Sequence, residues 1–134
     1  MKNDKKKIVL AIDDNIVMLK VISDLLTPDY DVLTCISAAN AIAVMNRLTP
    51  SLILLDIEMP DISGFEFLHT IRKNPKFMKI PVIVITSHDE TGVHEHAKKH
   101  GASSVVMKPV DPEELYQKIV YAFEYPSQKG LLGL

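Results

Sequence analysis

Short apolar runs alternate along the chain with segments in which apolar residues recur at helical spacing. The runs at 8–12, 51–55 and 82–85 contain almost no polar residue, and weaker runs lie at 31–35 and 104–107. Runs of this length without polar alternation are typical of strands covered on both faces, as in parallel sheets. The pattern therefore predicts a buried parallel sheet, with the weaker strand at 31–35 at an edge.

Helices are predicted between and after these strands from the periodic apolar positions. Their buried stripes are predicted to comprise Met18, Val21, Ile22 and Leu25; Ala41, Ile42, Met45 and Leu48; Phe67, Leu68 and Ile71; and Leu115, Ile119 and Phe123. A more polar helix is predicted at about 90–100. Five strands alternating with five helices indicate an α/β fold, a single doubly wound parallel sheet with helices on both faces. The alternation itself leaves the strand order open.

Capping residues support the positions of these helices. Ser37 and Ser63 each precede a helical segment, and Glu66, three residues after Ser63, completes a capping box. Asp111, which is followed by proline, is a strong helix start. Gly101 is placed to end the polar helix, because glycine readily adopts the left-handed conformation that often follows a helix.

Length and composition narrow the class of protein. The 134 residues suit one domain, which we place at 1–125, with 126–134 as a C-terminal tail or linker stub. No apolar run approaches the ~20 residues of a membrane helix, and the charged first residues do not lead into a signal sequence. The single cysteine fits a reducing compartment, and a net charge of −2 argues against general nucleic-acid binding. We expect a cytoplasmic protein with no direct contact to nucleic acid or membrane.

Polar side chains follow four of the predicted strands at the point where each strand ends. Asp13 and Asp14 follow the first strand, Asp56 the third, Thr86 the fourth and Lys108 the fifth. In open α/β sheets, the ligand site lies beyond the carboxyl ends of the strands. If these strands are neighbours, three carboxylates, a hydroxyl and an ammonium share one cleft.

Three carboxylates in one cleft are unfavourable unless one of them has a raised pKa or a cation binds. Two like charges ~4 Å apart repel by about 4 kcal/mol at an effective dielectric constant near 20. Oxygen ligands suit a hard cation, and Mg²⁺ commonly binds one or two carboxylates while keeping waters that a phosphate replaces. With Lys108 and Thr86 nearby, the set suits a phosphoryl group, and Asp56 is the natural nucleophile. Each residue alone has an ordinary explanation as a cap or turn residue, so the interpretation rests on their joint occurrence.

The chain resembles the receiver domain of two-component response regulators over residues 7 to 123, approximately. The likeness rests on four motifs, IVLAIDDN, LILLDIEMPDISGFE, VIVITS and VVMKP. It implies a flavodoxin-like fold with strand order 2-1-3-4-5. It also implies a cis peptide bond between Lys108 and Pro109, which proline tolerates better than other residues do.

The resemblance also implies a role for each residue of the cleft. Asp56 accepts a phosphoryl group, and Mg²⁺ is the cofactor. The implied metal ligands all offer oxygen and comprise Asp13, Asp14, Asp56 and the backbone carbonyl of Glu58. Asp14 is the more direct ligand of the first two, and Asp13 acts partly through water. Thr86 and Lys108 contact the phosphoryl oxygens.

The implied function is a signalling switch and not an enzyme with a separate substrate. A sensor histidine kinase or a phosphotransfer protein donates the phosphoryl group. A population shift then alters the face formed by helix four, strand five and helix five. That face would contact a downstream protein or an output domain, with the receiver as a monomer or a phosphorylation-linked dimer.

Three positions bear on how such a switch works. Val105 stands three residues before Lys108, where receivers commonly carry an aromatic switch residue, so an inward movement of a ring is unavailable. By the same resemblance, Glu58 and His88 border the water that attacks the acyl phosphate. Whether they lengthen or shorten the phosphoryl lifetime is open.

Other interpretations have less support. A degenerate receiver that acts only as a docking module is disfavoured by the complete set of acids, hydroxyl and lysine. A metal-dependent phosphatase of the haloacid dehalogenase type would carry its nucleophile after the first strand, and a flavodoxin would not place acids in its phosphate loop. His96 and His100 have a spacing that can bind zinc, but no cysteine accompanies them, and a solvated helix face is favoured.

Overall fold

The computed structural model of the chain describes residues 5–59, 61–87 and 92–125. The strands are β1 (Ile8–Ile12), β2 (Asp31–Cys35), β3 (Leu52–Asp56), β4 (Val82–Thr86) and β5 (Ser104–Met107). The helices are α1 (Ile16–Leu26), α2 (Ala38–Met45), α3 (Gly64–Arg72), α4 (Val93–Lys99) and α5 (Pro112–Glu124). All strands pair in parallel in the order β2-β1-β3-β4-β5, which confirms the α/β fold and the strand order 2-1-3-4-5.

The sheet is covered on both faces, and each face has its own hydrophobic core. In β3, Ile53 and Leu55 pack on the face covered by α2, α3 and α4, whereas Leu52 and Leu54 pack on the face covered by α1 and α5. Burying side chains of this size stabilises the fold by about 1.5–3 kcal/mol each. Every residue of β3 is buried, whereas β2 is partly exposed, as expected for an edge strand.

The predicted helix caps are present. Ser37 caps α2, Asp111 caps α5, and Ser63 forms the reciprocal capping box with Glu66 at the start of α3. Gly101 lies just beyond α4 with φ of +104°, the left-handed conformation that closes many helices. Caps of the Ser and Asp type stabilise a helix by about 1 kcal/mol each, so they fix where the loops begin.

Two of the predicted helical stripes are wrong in part. In α1, Val21 is 51% exposed, whereas Leu19 and Leu26 are buried. Ile42 in α2 and Leu48, which lies beyond the end of α2, are also exposed. Both helices carry apolar residues around most of their circumference, so periodicity does not select the buried side. Contact with the sheet selects it.

Two strands extend one residue beyond their apolar runs and end in the polar residues that the sequence places there. β3 includes Asp56 and β4 includes Thr86, so both side chains are held by the sheet. The helix predicted at 90–100 is observed from Val93, and the first part of that prediction lies outside the described residues. The predicted tail at 126–134 lies outside them as well. None of the described helices combines the length and the apolar character that a membrane crossing requires.

A methyl group at Gly64 should disturb the end of β3. A Cβ at this first residue of α3 would lie 2.5 Å from Cα of Ile57 and 2.9 Å from the carbonyl oxygen of Asp56. We expect Gly64→Ala to lower the free energy of unfolding by about 1–3 kcal/mol, because α3 must move away from β3. Urea denaturation of the purified variant measures the change.

Gly92→Ala is the control for this prediction. No heavy atom lies within 4 Å of a Cβ at Gly92, although its φ of +98° is unfavourable for alanine. Gly92→Ala should therefore lower the free energy of unfolding by about 1–2 kcal/mol, the cost of placing alanine in the left-handed conformation. It should leave the acids at the ends of β1 and β3 unaffected. Because the two expected losses of stability overlap, metal binding distinguishes the variants, and unchanged metal binding in Gly64→Ala would contradict a steric disturbance next to Asp56.

Candidate functional site

The carboxyl ends of β1 and β3 bring three carboxylates together. Asp13 and Asp14 follow β1, and Asp56 ends β3, which pairs directly with β1. One carboxylate oxygen from each residue lies within 4.8 Å of the other two. Over residues 5–59, 61–87 and 92–125, no other group of three His, Cys, Asp or Glu side chains has this spacing. The acids of two separate strand ends therefore form one cluster.

Backbone hydrogen bonds orient two of these carboxylates. Asp13 is 2% exposed, and its Oδ1 accepts a hydrogen bond from the backbone N–H of Asn15 at 2.9 Å. Asp56 is 3% exposed, and its Oδ1 accepts one from the backbone N–H of Glu58 at 3.1 Å. In both cases the carboxylate binds the N–H two residues on, which is the Asx turn. Asp14, in contrast, is exposed to solvent.

Lys108 brings a positive charge to the cluster from the end of β5. Its Nζ lies 3.3 Å from Oδ2 of Asp13 and 3.9 Å from Oδ1 of Asp56. Its backbone N–H donates to the carbonyl oxygen of Thr86 at 2.8 Å, so the chain after β5 is tied to the end of β4. The peptide bond between Lys108 and Pro109 is cis, which confirms the expectation from the resemblance.

Thr86 and Glu58 lie beside the cluster on neighbouring segments. The register of the sheet pairs Asp56 with Ile85, so Thr86 is one residue further along β4. Thr86 is fully buried at that strand end. Glu58 is exposed and directs its backbone N–H to Asp56. The six residues predicted to bind the metal and the phosphoryl group therefore lie at the same edge of the sheet: Asp13, Asp14, Asp56, Glu58, Thr86 and Lys108.

The surroundings of Asp56 disfavour its negative charge. Burial raises the pKa of the Asp56 carboxyl from 3.8 to about 6, and the nearby Asp13 adds to the increase. The N–H of Glu58 and the ammonium of Lys108 act in the opposite direction, lowering this pKa. Desolvation is the largest of these effects. A further cation at the cluster would therefore favour the ionised carboxylate, which is the nucleophilic form.

The donor set fits a hard divalent cation. The three side chains offer carboxylate oxygens, and Asp14 lies on the open side of the cluster. Mg²⁺ binds few protein oxygens and keeps several water molecules, which an exposed cluster permits. No thiolate or imidazole belongs to the group, so the softer ligands that favour zinc are absent from it.

His96 of α4 and His100, which caps that helix, make aromatic contacts, and neither belongs to a group of three metal-binding side chains among the described residues. The ring of His96 lies 4.3 Å from that of His100 and 4.4 Å from that of Phe65 on α3. One ring nitrogen of His100 is 2.9 Å from the backbone oxygen of His96. The polar face of α4 is thus partly packed on α3.

Val105 is buried in β5, and His88 lies outside the described residues.

Sequence reasoning missed one residue near the site. Asp61, in the connection between β3 and α3, accepts hydrogen bonds from the backbone N–H groups of Ala38 and Ala39 at the start of α2. These contacts join residues that are 23 and 22 positions apart. The sequence shows only that an acidic residue stands in a loop next to the site. It does not indicate that this residue bonds to the start of α2.

These features define an α/β domain with an acidic site at the carboxyl edge of its sheet. The response regulator receiver domain family matches residues 9–120 of the chain. The chain therefore belongs to this family, whose members serve two-component, phosphorylation-dependent signalling.

Two curated relatives illustrate how such domains occur. Hybrid signal transduction histidine kinase D of Dictyostelium discoideum is 33% identical over 127 residues, which is 95% of this chain and 8% of that protein. Response regulator PleD of Caulobacter vibrioides is 31% identical over 112 residues, 83% of this chain and 25% of that protein. The chain thus spans at most a quarter of the length of these two relatives.

A solved structure has the same architecture over nearly its whole length. The chemotaxis response regulator CheY4 of Vibrio cholerae superposes with a TM-score of 0.81 and 27% identity, covering 87% of this chain and 98% of that one. The flavodoxin-like fold implied by the resemblance is therefore confirmed.

Removing the charge of Asp56 should stabilise the metal-free protein. The folded-state pKa, about 6, lies above the ordinary 3.8, so the folded protein holds this proton more tightly than the unfolded chain. The resulting stability is present below pH 3.8, approximately, and is lost as the pH rises through about 6. At neutral pH without divalent ions, we expect Asp56→Asn to unfold at a higher urea concentration than wild type. Its free energy of unfolding should be larger by up to about 3 kcal/mol.

The pH dependence makes this prediction specific. The difference between wild type and Asp56→Asn should shrink as the pH falls below about 6, because the wild-type carboxyl then becomes protonated. Asp24→Asn, at an exposed position on α1, serves as the control and should change stability by less than about 0.5 kcal/mol. A constant difference across the whole pH range would rule out ionisation of Asp56 as the cause.

Proposed function

We propose that this chain is a phosphorylation-dependent switch that accepts a phosphoryl group on Asp56. The donor is a phosphohistidine on a sensor histidine kinase or a phosphotransfer protein. The carboxylate oxygen forms the new bond to phosphorus while the phosphorus–nitrogen bond breaks, and the histidine nitrogen keeps the electron pair. The observation that carries the proposal is the cluster of Asp13, Asp14 and Asp56 with Lys108 against it.

The position of Asp56 suits a nucleophile. It ends a strand that is buried on both faces, so the backbone that carries it has little freedom. The hydrogen bond from Glu58 fixes one carboxylate oxygen. A fixed oxygen at a strand end lowers the entropic cost of reaching the in-line geometry that phosphoryl transfer requires.

Asp13, Asp14, Asp56 and the backbone carbonyl of Glu58 are the proposed ligands of Mg²⁺. When bound, the ion supplies positive charge that neutralises the acids and stabilises the charge developing on the transferring phosphoryl oxygens. Asp13 holds its orientation through Asn15, and Asp14 offers an exposed carboxylate to the entering ion. We propose Asp14 as the more direct ligand for that reason.

Lys108 and Thr86 are proposed to bind the phosphoryl oxygens. The ammonium of Lys108 is already within 4 Å of Asp56 and is shared with Asp13. A phosphoryl group on Asp56 would add negative charge within its reach and draw the ammonium from Asp13. Thr86 lies at the neighbouring strand end, from which its hydroxyl is proposed to donate to the phosphoryl group.

The same two residues connect the site to the proposed output face. The backbones of Thr86 and Lys108 are joined by a hydrogen bond across β4 and β5. Movement at either residue therefore affects β5 and, through it, the face formed by α4, β5 and α5. We propose that this face contacts a downstream protein or an output domain, with the domain at 1–125 as a monomer or a phosphorylation-linked dimer. The receiver would promote its own phosphotransfer and dephosphorylation without a separate substrate.

Intact-mass measurement tests the phosphoacceptor directly. After incubation with Mg²⁺ and either acetyl phosphate or phosphoramidate, we expect one added phosphoryl group on the wild-type chain. Asp56→Asn should add none, because the amide is not a nucleophile for this reaction. A modified Asp56→Asn variant would show that another residue is the acceptor, and an unmodified wild type that retains its fold would favour a docking module; either result would refute the proposal.

Replacing Lys108 should separate modification from switching. We expect Lys108→Ala to accept the phosphoryl group on Asp56 but to lose most of the phosphorylation-induced change in amide exchange across β5 and α4. The reason is that the ammonium that links the phosphoryl charge to β5 is missing. Lys20→Ala, which removes an exposed ion pair with Asp24, is the control and should respond like wild type. A full exchange response in Lys108→Ala would show that the signal takes another route.

A further inference from the structure

The connection between β3 and α3 is bonded to a helix outside the acidic cluster. Asp61 lies in this connection, five residues after Asp56. Its Oδ2 accepts a hydrogen bond from the backbone N–H of Ala39 at 3.1 Å, and its Oδ1 accepts a longer one from Ala38 at 3.4 Å. Both donors belong to the first turn of α2.

With these bonds, each of the first three backbone N–H groups of α2 has an acceptor. A helix leaves its first N–H groups without partners inside the helix. The N–H of Asn40 donates to the hydroxyl of Ser37, and those of Ala38 and Ala39 donate to Asp61. The same backbone N–H groups lower the pKa of the Asp61 carboxyl, which shows that they favour its charged form. A carboxylate at a helix N-terminus is also favoured by the helix dipole.

The segment before α2 contacts the other loop of the site as well. The carbonyl oxygen of Cys35, the last residue of β2, accepts a hydrogen bond from the N–H of Asp13 at 3.0 Å. The segment 35–39, which we call the β2–α2 junction, therefore bonds to Asp13 after β1 and to Asp61 after β3. These are the two loops that flank the cluster.

We infer that Asp61 is a positioning residue, whose bonds to the β2–α2 junction hold the β3–α3 connection in the conformation that the metal and phosphoryl site requires. The inference rests on the proposed function. The connection is fixed near its start by the bond from Glu58 to Asp56 and closed by the bond from the N–H of Gly64 to the carbonyl of Ile57 at 3.1 Å. Asp61 ties the middle of the connection to α2.

The consequence concerns the backbone of Glu58, three residues before Asp61. Without the bonds to α2, the connection would sample more conformations, and the backbone of Glu58, whose carbonyl is a proposed metal ligand, would be held less firmly beside Asp56. Side chains that orient metal ligands commonly change metal affinity by about 10- to 100-fold when removed. Because Asp61 acts through the backbone and not on a ligand side chain, we expect the lower end of that range.

Three variants separate positioning from helix stability and from charge. Asp61→Ala removes both bonds to α2. Asp61→Asn removes the charge but keeps an oxygen that accepts from Ala39. Ser37→Ala removes the other cap of the same helix and leaves Asp61 in place, so it is the matched control for a loss of α2 stability.

Two measurements are needed, one of them on the protein without metal. Hydrogen exchange followed by mass spectrometry of a peptide covering 57–63 reports on the connection in metal-free protein. Calorimetric titration with Mg²⁺ gives the dissociation constant. We expect Asp61→Ala to exchange faster over 57–63 and to bind Mg²⁺ about tenfold more weakly. Ser37→Ala and Asp61→Asn should both stay close to wild type.

Each alternative outcome overturns the inference. Equal losses of affinity in Asp61→Ala and Ser37→Ala would assign the effect to α2 stability, and equal losses in Asp61→Ala and Asp61→Asn would show that the single bond to Ala39, which the amide keeps, is not what holds the connection. Unchanged exchange over 57–63 in Asp61→Ala would show that the tether is not needed. The mass of Asp61→Ala after incubation with acetyl phosphate at saturating Mg²⁺ is independent of these results, because a phosphoryl group on Asp56 upholds the proposed function even if the tether fails.

Discussion

The burial of two carboxylates, Asp13 and Asp56, at neighbouring strand ends is the constraint on which the site depends. Both carboxylates are nearly inaccessible to water, and burial together with Asp13 raises the pKa of Asp56 to about 6. The ammonium of Lys108 offsets part of that cost from the end of β5. The cluster therefore has a local excess of negative charge that favours a divalent cation. This unfavourable arrangement is tolerated because the hydrophobic cores on both faces of the sheet supply the stability that it consumes.

The parallel sheet makes the cluster possible, and local hydrogen bonds refine it. Adjacent parallel strands end at the same edge, so β1 and β3 deliver their acids to one place without any long loop. The Asx turns of Asp13 and Asp56 then set the direction of the carboxylates. Further from the cluster, the β2–α2 junction bonds to the loops on both sides of it. The sheet thus positions the acids, and hydrogen bonds from the β2–α2 junction hold the two loops that flank them.

Basic side chains hold α4 and β5 to the neighbouring helices by donating hydrogen bonds to backbone oxygens. Arg72 of α3 donates hydrogen bonds to the carbonyl oxygens of Gly101 and Met78, which fixes the C-terminal end of α4 to α3. Burial lowers the pKa of Arg72 to about 10, and backbone oxygens take the place of an acid in these bonds. Lys118 of α5 donates to the carbonyl of Val105 on β5. β5 is thus joined to α5 by this hydrogen bond, in addition to its pairing with β4 and the packing of Val105 and Val106 in the two cores.

Sequence alone predicted the elements of this receiver domain and nominated the residues of its candidate site. Unbroken apolar runs identified strands that are buried on both faces, and the Ser63–Glu66 capping box located the start of α3, because both are local properties of neighbouring residues. The acids, hydroxyl and lysine at the strand ends indicated a phosphoryl site, while the strand order came from the resemblance to a family. Tertiary structure decided what depends on distant contacts. It selected Leu19 over Val21 as the buried face of α1, placed Lys108 3.3 Å from Asp13, and brought Asp61 to a helix 22 residues away. No local pattern encodes these pairings, since each depends on how the whole sheet and its helices pack.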